Sequence, residues 1–146
     1  MMVRRAVSED LARVDELLAA AELPALPPHL PLSNLLIAFD DGSIVGAIAL
    51  EVTARVGLIR SAVVDADRRR CGIGSSLMQS LFPRTQELGL RELYLLTLGA
   101  QSFFEHFGFE SVPRDAAPPE IRRLPFFRDH CPDSAILMRL GMESRI

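Results

Sequence analysis

The sequence predicts a mixed α/β domain built around one sheet. Short apolar runs of strand length alternate with segments whose apolar residues recur every three or four positions, which is the helical period. The pair Asp41-Gly42 separates two apolar runs, as expected for a β-hairpin. The 146 residues, 49% of them hydrophobic, suffice for one core. We expect a single domain over residues 1–146 with the element order β-α-β-β-β-α-β-α-β-β.

The first part of the chain predicts a strand, a helix and a hairpin. Residues 3–7 read as a strand, and Ser8 is expected to cap a helix whose apolar stripe is Leu11, Val14, Leu17, Leu18 and Ala21. Residues 23–33 contain four prolines, so they form an irregular segment that either wraps the core or borders a site. The hairpin pairs residues 34–39 with 43–52, and a second one leads into 57–64.

The second part predicts two more helices and three more strands. A helix begins after residues 68–70 and ends at Gly89, and the nearly unbroken apolar run at 93–98 predicts a strand buried on both faces. A short helix at 100–107 follows, stopped by Gly108, and then strands at 109–112 and 134–140. The connection at 113–133 is long, so we expect it to be functional or partly helical.

Composition excludes several classes of function. A net charge of -3 argues against nucleic-acid binding, and no apolar run approaches the ~18 residues of a membrane span. The N-terminus lacks the apolar core of a signal peptide, so a cytoplasmic location is expected. Cys71 and Cys131 are far apart and have no zinc-ligand spacing, so neither a metal nor a disulfide is predicted. The histidines have no spacing typical of a triad or a metal site: His29, His106 and His130.

The run VVDADRRRCGIGSSLM, residues 63–78, predicts an anion-binding turn. A strand, a glycine-bearing turn and a helix N-terminus expose unpaired backbone N–H groups to a ligand, and the helix dipole favours negative charge there. Arginines just before the glycines add charge-assisted contacts to phosphate. A Walker loop and a dinucleotide fingerprint both lack required residues here. The alternative is an ordinary strand-to-helix turn with solvated arginines.

Two motifs resemble the GCN5-related N-acetyltransferases. Residues 69–74, RRCGIG, match that family's Arg/Gln-x-x-Gly-x-Gly/Ala signature, and residues 103–110, FFEHFGFE, are similar to its helix-turn-strand. The resemblance implies a central mixed sheet of six or seven strands flanked by helices, and acetyl-CoA as cosubstrate without a metal. It further implies that pantetheine pairs with Ala62, Val63 and Val64. The residues implied for the pyrophosphate are Arg69, Arg70, Cys71, Gly72, Ile73, Gly74 and Ser75.

A narrower resemblance points to the arsenic-resistance N-acetyltransferase branch. It is carried by LIRSAVV, by LYLLTLGAQSFFEHFGF and by the tail AAPPEIRRLPFFRDHCPDSAILM. The resemblance implies acetylation of the amino group of a small, amino-acid-like toxin such as a phosphinothricin analogue. Relatives of this kind often dimerise, so a homodimer is a further expectation. Two alternatives stay open, a CoA-binding regulatory module without catalysis and an acetyltransferase acting on a protein amine.

Three polar residues on neighbouring strands are candidates for the acceptor side. Glu51 ends the apolar run IVGAIALE, and we predict that it deprotonates the amine or binds it as a cation. A solvent-facing glutamate at a strand end is the alternative. Arg60 and Ser61 lie within the adjoining strand, where an arginine must reach solvent, pair with a protein carboxylate or bind a substrate carboxylate.

The chain departs from the family pattern where the leaving thiolate is protonated. Phe104 stands where many relatives carry a tyrosine, and it can form only a wall for the pantetheine. Thr97 stands where relatives carry an asparagine, and Thr97, Ser102 or water are the candidate proton donors. Tyr94 is expected to be a packing residue. Phe126 either closes over the acceptor or belongs to a satellite hydrophobic cluster.

Overall fold

The computed structural model describes residues 1–69, 71–129 and 133–142, and its elements follow the predicted order. The strands are β1 (Met2–Arg5), β2 (Leu35–Asp40), β3 (Ser43–Thr53), β4 (Val56–Val64), β5 (Glu92–Thr97), β6 (Glu110–Val112) and β7 (Ile136–Gly141). The α-helices are α1 (Leu11–Ala20), α2 (Ile73–Glu87), α3 (Gln101–Glu105), α4 (Pro119–Arg122) and α5 (Pro125–Asp129). No helix of these ranges is long and apolar enough to cross a membrane.

The strands form one mixed seven-stranded sheet, as the predicted fold class requires. By contacts the chain divides into two compact units, one of Met1–Glu51 with Arg60–Glu87 and one of Val52–Ile59 with Leu88–Ile146. Strand β4 contributes residues to both units. The strand order is β1-β2-β3-β4 in the first unit and β4-β5-β7-β6 in the second.

The first unit is a meander packed against α1. Antiparallel pairing joins Val3 to Ala38 and Ile37 to Ala47. The hairpin turns at Asp41-Gly42, as predicted, and both turn residues have positive φ values. The predicted stripe of α1 is confirmed, because Val14, Leu17 and Leu18 are buried in the core. This core also includes Leu35, Ile37, Ile44, Ala47, Ala49 and Val63.

The second unit contains the only parallel strand pair among the described registers. Val56 of β4 pairs with Glu92 of β5, whereas β5 and β6 both pair antiparallel with β7. The long connection between β6 and β7 contains α4 and α5, which confirms the partly helical prediction. Side chains from this connection pack on the strands in one cluster, which comprises Val56, Leu58, Tyr94, Ala117, Ile121, Phe126, Phe127 and Leu137.

The entry to α1 differs from the prediction. Ser8 makes no capping hydrogen bond, and the carboxylate of Asp10 takes that role by accepting the Val7 N–H at 2.8 Å. Two guanidinium nitrogens of Arg4 donate to the same carboxylate at 2.9 and 3.2 Å. The hydrogen bonds from Arg4, above all, hold the pKa of Asp10 below its usual range, against the effect of burial. The Ser8 prediction was wrong because Ser8 is the first residue of a short 3-10 turn, Ser8–Asp10, whose Asp10 N–H donates to the Val7 carbonyl at 3.0 Å.

We predict that Asp10→Asn lowers the free energy of unfolding at pH 7 by about 1 to 3 kcal/mol, since it weakens bonds made inside a buried turn. A depressed folded-state pKa stabilises the fold above the unfolded pKa of about 3.9, and this contribution is lost as the pH falls through the lower folded value. The difference in free energy of unfolding between the parent and Asp10→Asn should therefore be smaller at pH 3 than at pH 7. Urea unfolding at both pH values measures it. Asp15→Asn, at an exposed position of α1, is the matched control.

Candidate functional site

Strand β4 is irregular at its centre, where the candidate residues lie. Ser61 adopts φ +54, a left-handed conformation that costs a non-glycine residue roughly 1 to 3 kcal/mol. Every residue from Val56 to Ser61 is buried, and only afterwards does the strand alternate, with Ala62 exposed and Val63 buried. The burial pattern thus changes directly after the left-handed Ser61, and the Ala62 side chain is exposed.

Glu51 and Arg60 form a buried ion pair in the first unit. Nη1 of Arg60 lies 2.8 Å from Oε1 of Glu51, and the two side chains are only 4% and 7% exposed. Nε of Arg60 donates to the Ser61 hydroxyl at 3.2 Å. Of the three alternatives for Arg60, the structure realises pairing with a protein carboxylate. The alternative of a solvent-facing Glu51 is wrong, because Glu51 is buried.

The proline-rich segment borders this ion pair. Nη2 of Arg60 donates to the carbonyl of Ala25 at 2.9 Å, which ties the segment to β4. The Leu30 N–H donates to the Pro27 carbonyl and closes a turn that carries His29. The His29 ring stands with Nε2 4.0 Å from Oε2 of Glu51, and its side chain is 72% exposed. The spacing of the histidines does not predict this contact, since nothing in it connects His29 to Glu51.

The three arginines after β4 are not equivalent. Nη1 of Arg68 pairs with Asp40 of β2 at 2.7 Å, so Arg68 braces the turn. Asp65 shapes the same turn by accepting the Asp67 N–H at 3.0 Å and the Arg13 guanidinium at 3.0 Å. Arg69 is exposed. Arg70 lies outside the described residues. The predicted basic cluster therefore presents at least Arg69 to solvent, while Arg68 is engaged within the protein.

The N-terminus of α2 has the geometry of an anion site. Gly72 adopts φ +79, and an added Cβ there would meet no atom within 4 Å, so the backbone borders open space. The first carbonyl used within the helix is that of Gly72, bound by the Ser76 N–H at 3.1 Å. The N–H groups of Ile73, Gly74 and Ser75 thus precede the first helical hydrogen bond and are available to a ligand. These residues fit a diphosphate.

Gly46 of β3 supports this site, and the sequence analysis missed it. A Cβ at Gly46 would lie 3.0 Å from the Val63 carbonyl and 3.1 Å from the Ile73 side chain. Only glycine lets β3 approach β4 and the start of α2 so closely. The signal was the glycine inside an otherwise apolar strand, which often marks such an approach.

The remaining predicted residues belong to the second unit. Thr97 ends β5 with its hydroxyl oxygen accepting the Ala100 N–H at 3.2 Å, and Phe104 packs edge-on against Phe103 and Phe109. Phe126 is buried in the hydrophobic cluster of that unit, which favours the packing interpretation. Tyr94 is buried too, and its pKa is raised, first by burial and then by Glu92. Its burial agrees with a packing role.

Two other predictions concern metals and thiols. The ranges 1–69, 71–129 and 133–142 contain no group of three or more His, Cys, Asp or Glu side chains that could hold a metal ion. Cys71 is a free, exposed thiol. His130 and Cys131 lie outside the described residues, so their predicted lack of a role stays a prediction.

Comparison with known proteins identifies the family. The acetyltransferase (GNAT) domain matches residues 31–111, which is more than half of the chain. The chain therefore belongs to the GNAT acetyltransferases. An uncharacterised N-acetyltransferase from Chlorobaculum tepidum is 28% identical over 93 residues, a match that covers 63% of this chain and 59% of that protein.

Solved structures show the same fold. N-acetylglutamate synthase from Neisseria gonorrhoeae, in complex with coenzyme A and N-acetylglutamate, superposes with a TM-score of 0.82 at 22% identity. That match covers 96% of this chain but 34% of the synthase, so this chain corresponds to about a third of it. A Mycobacterium tuberculosis protein in complex with CoA gives a TM-score of 0.76 at 22% identity, covering 97% of this chain and 99% of that one.

We predict that Gly46→Ala lowers the free energy of unfolding by about 1 to 3 kcal/mol, because the new methyl group presses on a backbone carbonyl that cannot rotate away. Gly141→Ala is the matched control, since its Cβ would approach nothing closer than Arg139 Nη2 at 3.6 Å. Thermal unfolding followed by circular dichroism distinguishes the two variants. Equal melting temperatures for both would contradict the close approach at Gly46.

Proposed function

We propose that this chain transfers the acetyl group of acetyl-CoA to the primary amine of a small, amino-acid-like molecule. The observation that carries the proposal is the open N-terminal turn of α2, where Gly72 and the following N–H groups face free space beside the exposed Arg69. Membership of the GNAT family supports acetyl-CoA as the ligand of this turn. Bound there, acetyl-CoA supplies the activated acetyl thioester.

The chain's own residues would hold that ligand along β4 and α2. The N–H groups of Ile73, Gly74 and Ser75 bind the diphosphate oxygens, and the dipole of the 15-residue helix α2 favours their negative charge. Arg69 adds a charge-assisted contact, and Arg70 is proposed to do the same. The backbone from Ala62 to Val64, in which the Ala62 side chain is exposed, pairs with the pantetheine amides in this proposal. A β4 N–H at Val63 or Val64 polarises the acetyl carbonyl.

The acceptor side of the proposal rests on the Glu51–Arg60 pair. Glu51 presents Oε2 to the side of the proline-rich segment, while Oε1 is engaged by Arg60. A buried carboxylate that keeps one oxygen available attracts the ammonium group of an amine. Arg60, whose nitrogens contact Glu51, Ser61 and Ala25, acts on the acceptor through Glu51 in this proposal. Thr97 is proposed to help protonate the sulfur, and Phe104 to line the pantetheine.

The substrate class rests on the resemblance to the arsenic-resistance branch, which favours a toxin with an amino-acid backbone. Phosphinothricin is therefore the first acceptor to test. The proposal also includes a cytoplasmic homodimer. Light scattering coupled to size-exclusion chromatography would give a mass near 32 kDa for the dimer, against 16.1 kDa for one chain.

We predict that Arg69→Ala weakens acetyl-CoA binding by about 10-fold, which corresponds to about 1.4 kcal/mol for a lost charge-assisted contact. Raising the salt concentration should reduce the difference between parent and variant, because both charges are exposed. Isothermal titration calorimetry measures both effects. Arg55→Ala, which removes an exposed arginine from the turn between β3 and β4, should bind as the parent does. Equal affinity in all three proteins would contradict the role of Arg69.

An acceptor panel tests the activity itself. Release of CoA thiol is followed with phosphinothricin, with common amino acids, with amines that lack a carboxylate and with peptides bearing a free N-terminus. Turnover confined to amino-acid-like amines supports the proposal. Turnover confined to peptides would support a protein acetyltransferase. Acetyl-CoA binding without turnover of any acceptor would support the regulatory module.

A further inference from the structure

His29 has no role in the function proposed above, yet the structure places its ring beside the carboxylate of Glu51. Nε2 of His29 lies 4.0 Å from Oε2 of Glu51. The two partners differ sharply in environment, since the histidine side chain is 72% exposed and the glutamate side chain 7% exposed. This pairing joins a buried carboxylate to an imidazole that solvent reaches directly.

The position of His29 is set by the chain on both sides of it. The turn closed by the Leu30 N–H and the Pro27 carbonyl, at 3.2 Å, has Pro28 as its second residue and His29 as its third. Proline fixes φ at the second position of such a turn, so the imidazole is presented from a restrained backbone. Upstream, the Ala25 carbonyl is bound by Arg60, the same residue that holds Glu51. One arginine therefore holds both Glu51 and the backbone of the segment that carries His29.

We propose that His29 is the general base of the acetyl transfer and that Glu51 is its partner carboxylate. The inference rests on the proposed function, and it moves the role of base from Glu51 to His29. Oε1 of Glu51 is engaged by Arg60, so Oε2 is the oxygen that faces the imidazole. Oε2 orients the ring through Nε2 and stabilises the imidazolium that forms, which leaves Nδ1 to take the proton.

The proton balance of this step is complete. The acceptor arrives as an ammonium ion and gives one proton to Nδ1 of His29, which frees the nitrogen lone pair. The C–N bond to the acetyl group then forms and the C–S bond breaks, the nitrogen loses its second proton, and the CoA sulfur gains one. One proton is released overall, and His29 is exposed enough to pass it to solvent.

The carboxylate of Glu51 on β3 is the charged group nearest to this ring among the described ion pairs, and Arg60 on β4 holds that carboxylate. Imidazole is the side chain that ordinarily changes charge between pH 5 and 8. Because only the neutral ring accepts a proton, kcat at saturating acceptor should rise as the pH rises. The distance of 4.0 Å between Nε2 of His29 and Oε2 of Glu51 is compatible with this role, since catalytic hydrogen bonds often tighten only when the substrate binds.

The test compares His29→Gln with His106→Gln, which removes another exposed histidine from the end of α3. Each variant is assayed with the acceptor that the panel identifies, from about pH 5 to about pH 8, with and without added free imidazole. We expect His29→Gln to lower kcat by about 10²-fold or more and to flatten its pH dependence. Free imidazole should restore part of the rate, and acetyl-CoA affinity by calorimetry should be unchanged.

An unchanged kcat and pH profile in His29→Gln would overturn the inference while leaving the proposed function intact. A loss of kcat that free imidazole does not rescue and that keeps the parent pH profile would also overturn it, because a structural role predicts that result. A parent that binds acetyl-CoA and acetylates no acceptor would instead remove the proposed function, and this inference with it. Glu51→Gln, checked for folding by thermal unfolding, should also lower kcat, and free imidazole should not restore it because the His29 ring is still present.

Discussion

The ion pair between Glu51 and Arg60 is the constraint on which the proposed acceptor site of the first unit depends. Both side chains are almost fully buried, and removing either partner would leave an uncompensated charge. The hydrogen bonds of Arg60 to Ser61 and Ala25 complete the pairing. The pair therefore holds more than its own two side chains. Through Arg60 it also positions Ser61, at the centre of β4, and Ala25, in the proline-rich segment.

Strand β4 connects this pair to the anion-binding turn. Its centre carries Arg60 and the left-handed Ser61, its outer edge exposes Ala62, and the chain then enters a turn braced by Asp65 and Arg68. In the proposed function, this single strand orders the two groups that an acetyl transfer must bring together, the acceptor amine and the acetyl donor. Gly46 keeps β3 close enough for this arrangement, because its missing side chain leaves room for the Val63 carbonyl.

The sequence was sufficient for features that depend on local chemistry. Asp41-Gly42 identified the hairpin, the stripe of Val14, Leu17 and Leu18 identified α1, and RRCGIG located the helix start beneath the anion site. Contacts between residues far apart in the sequence could not be predicted, because no periodic pattern of residue types indicates them. From the sequence, Arg60 could equally have met solvent or substrate. His29 lies far from Glu51 in the chain, and the ion pair between Arg68 and Asp40 forms only in the folded structure.

The central claim is that the turn before α2 binds the diphosphate of acetyl-CoA. The most direct measurement is a titration of acetyl-CoA into ¹⁵N-labelled protein, followed by the backbone amide resonances. We predict that the largest shifts fall on the N–H groups of Gly72 to Ser75, with smaller ones along Ala62 to Val64. Saturable binding with its largest shifts outside both segments would contradict the account, and so would spectra that acetyl-CoA leaves unchanged.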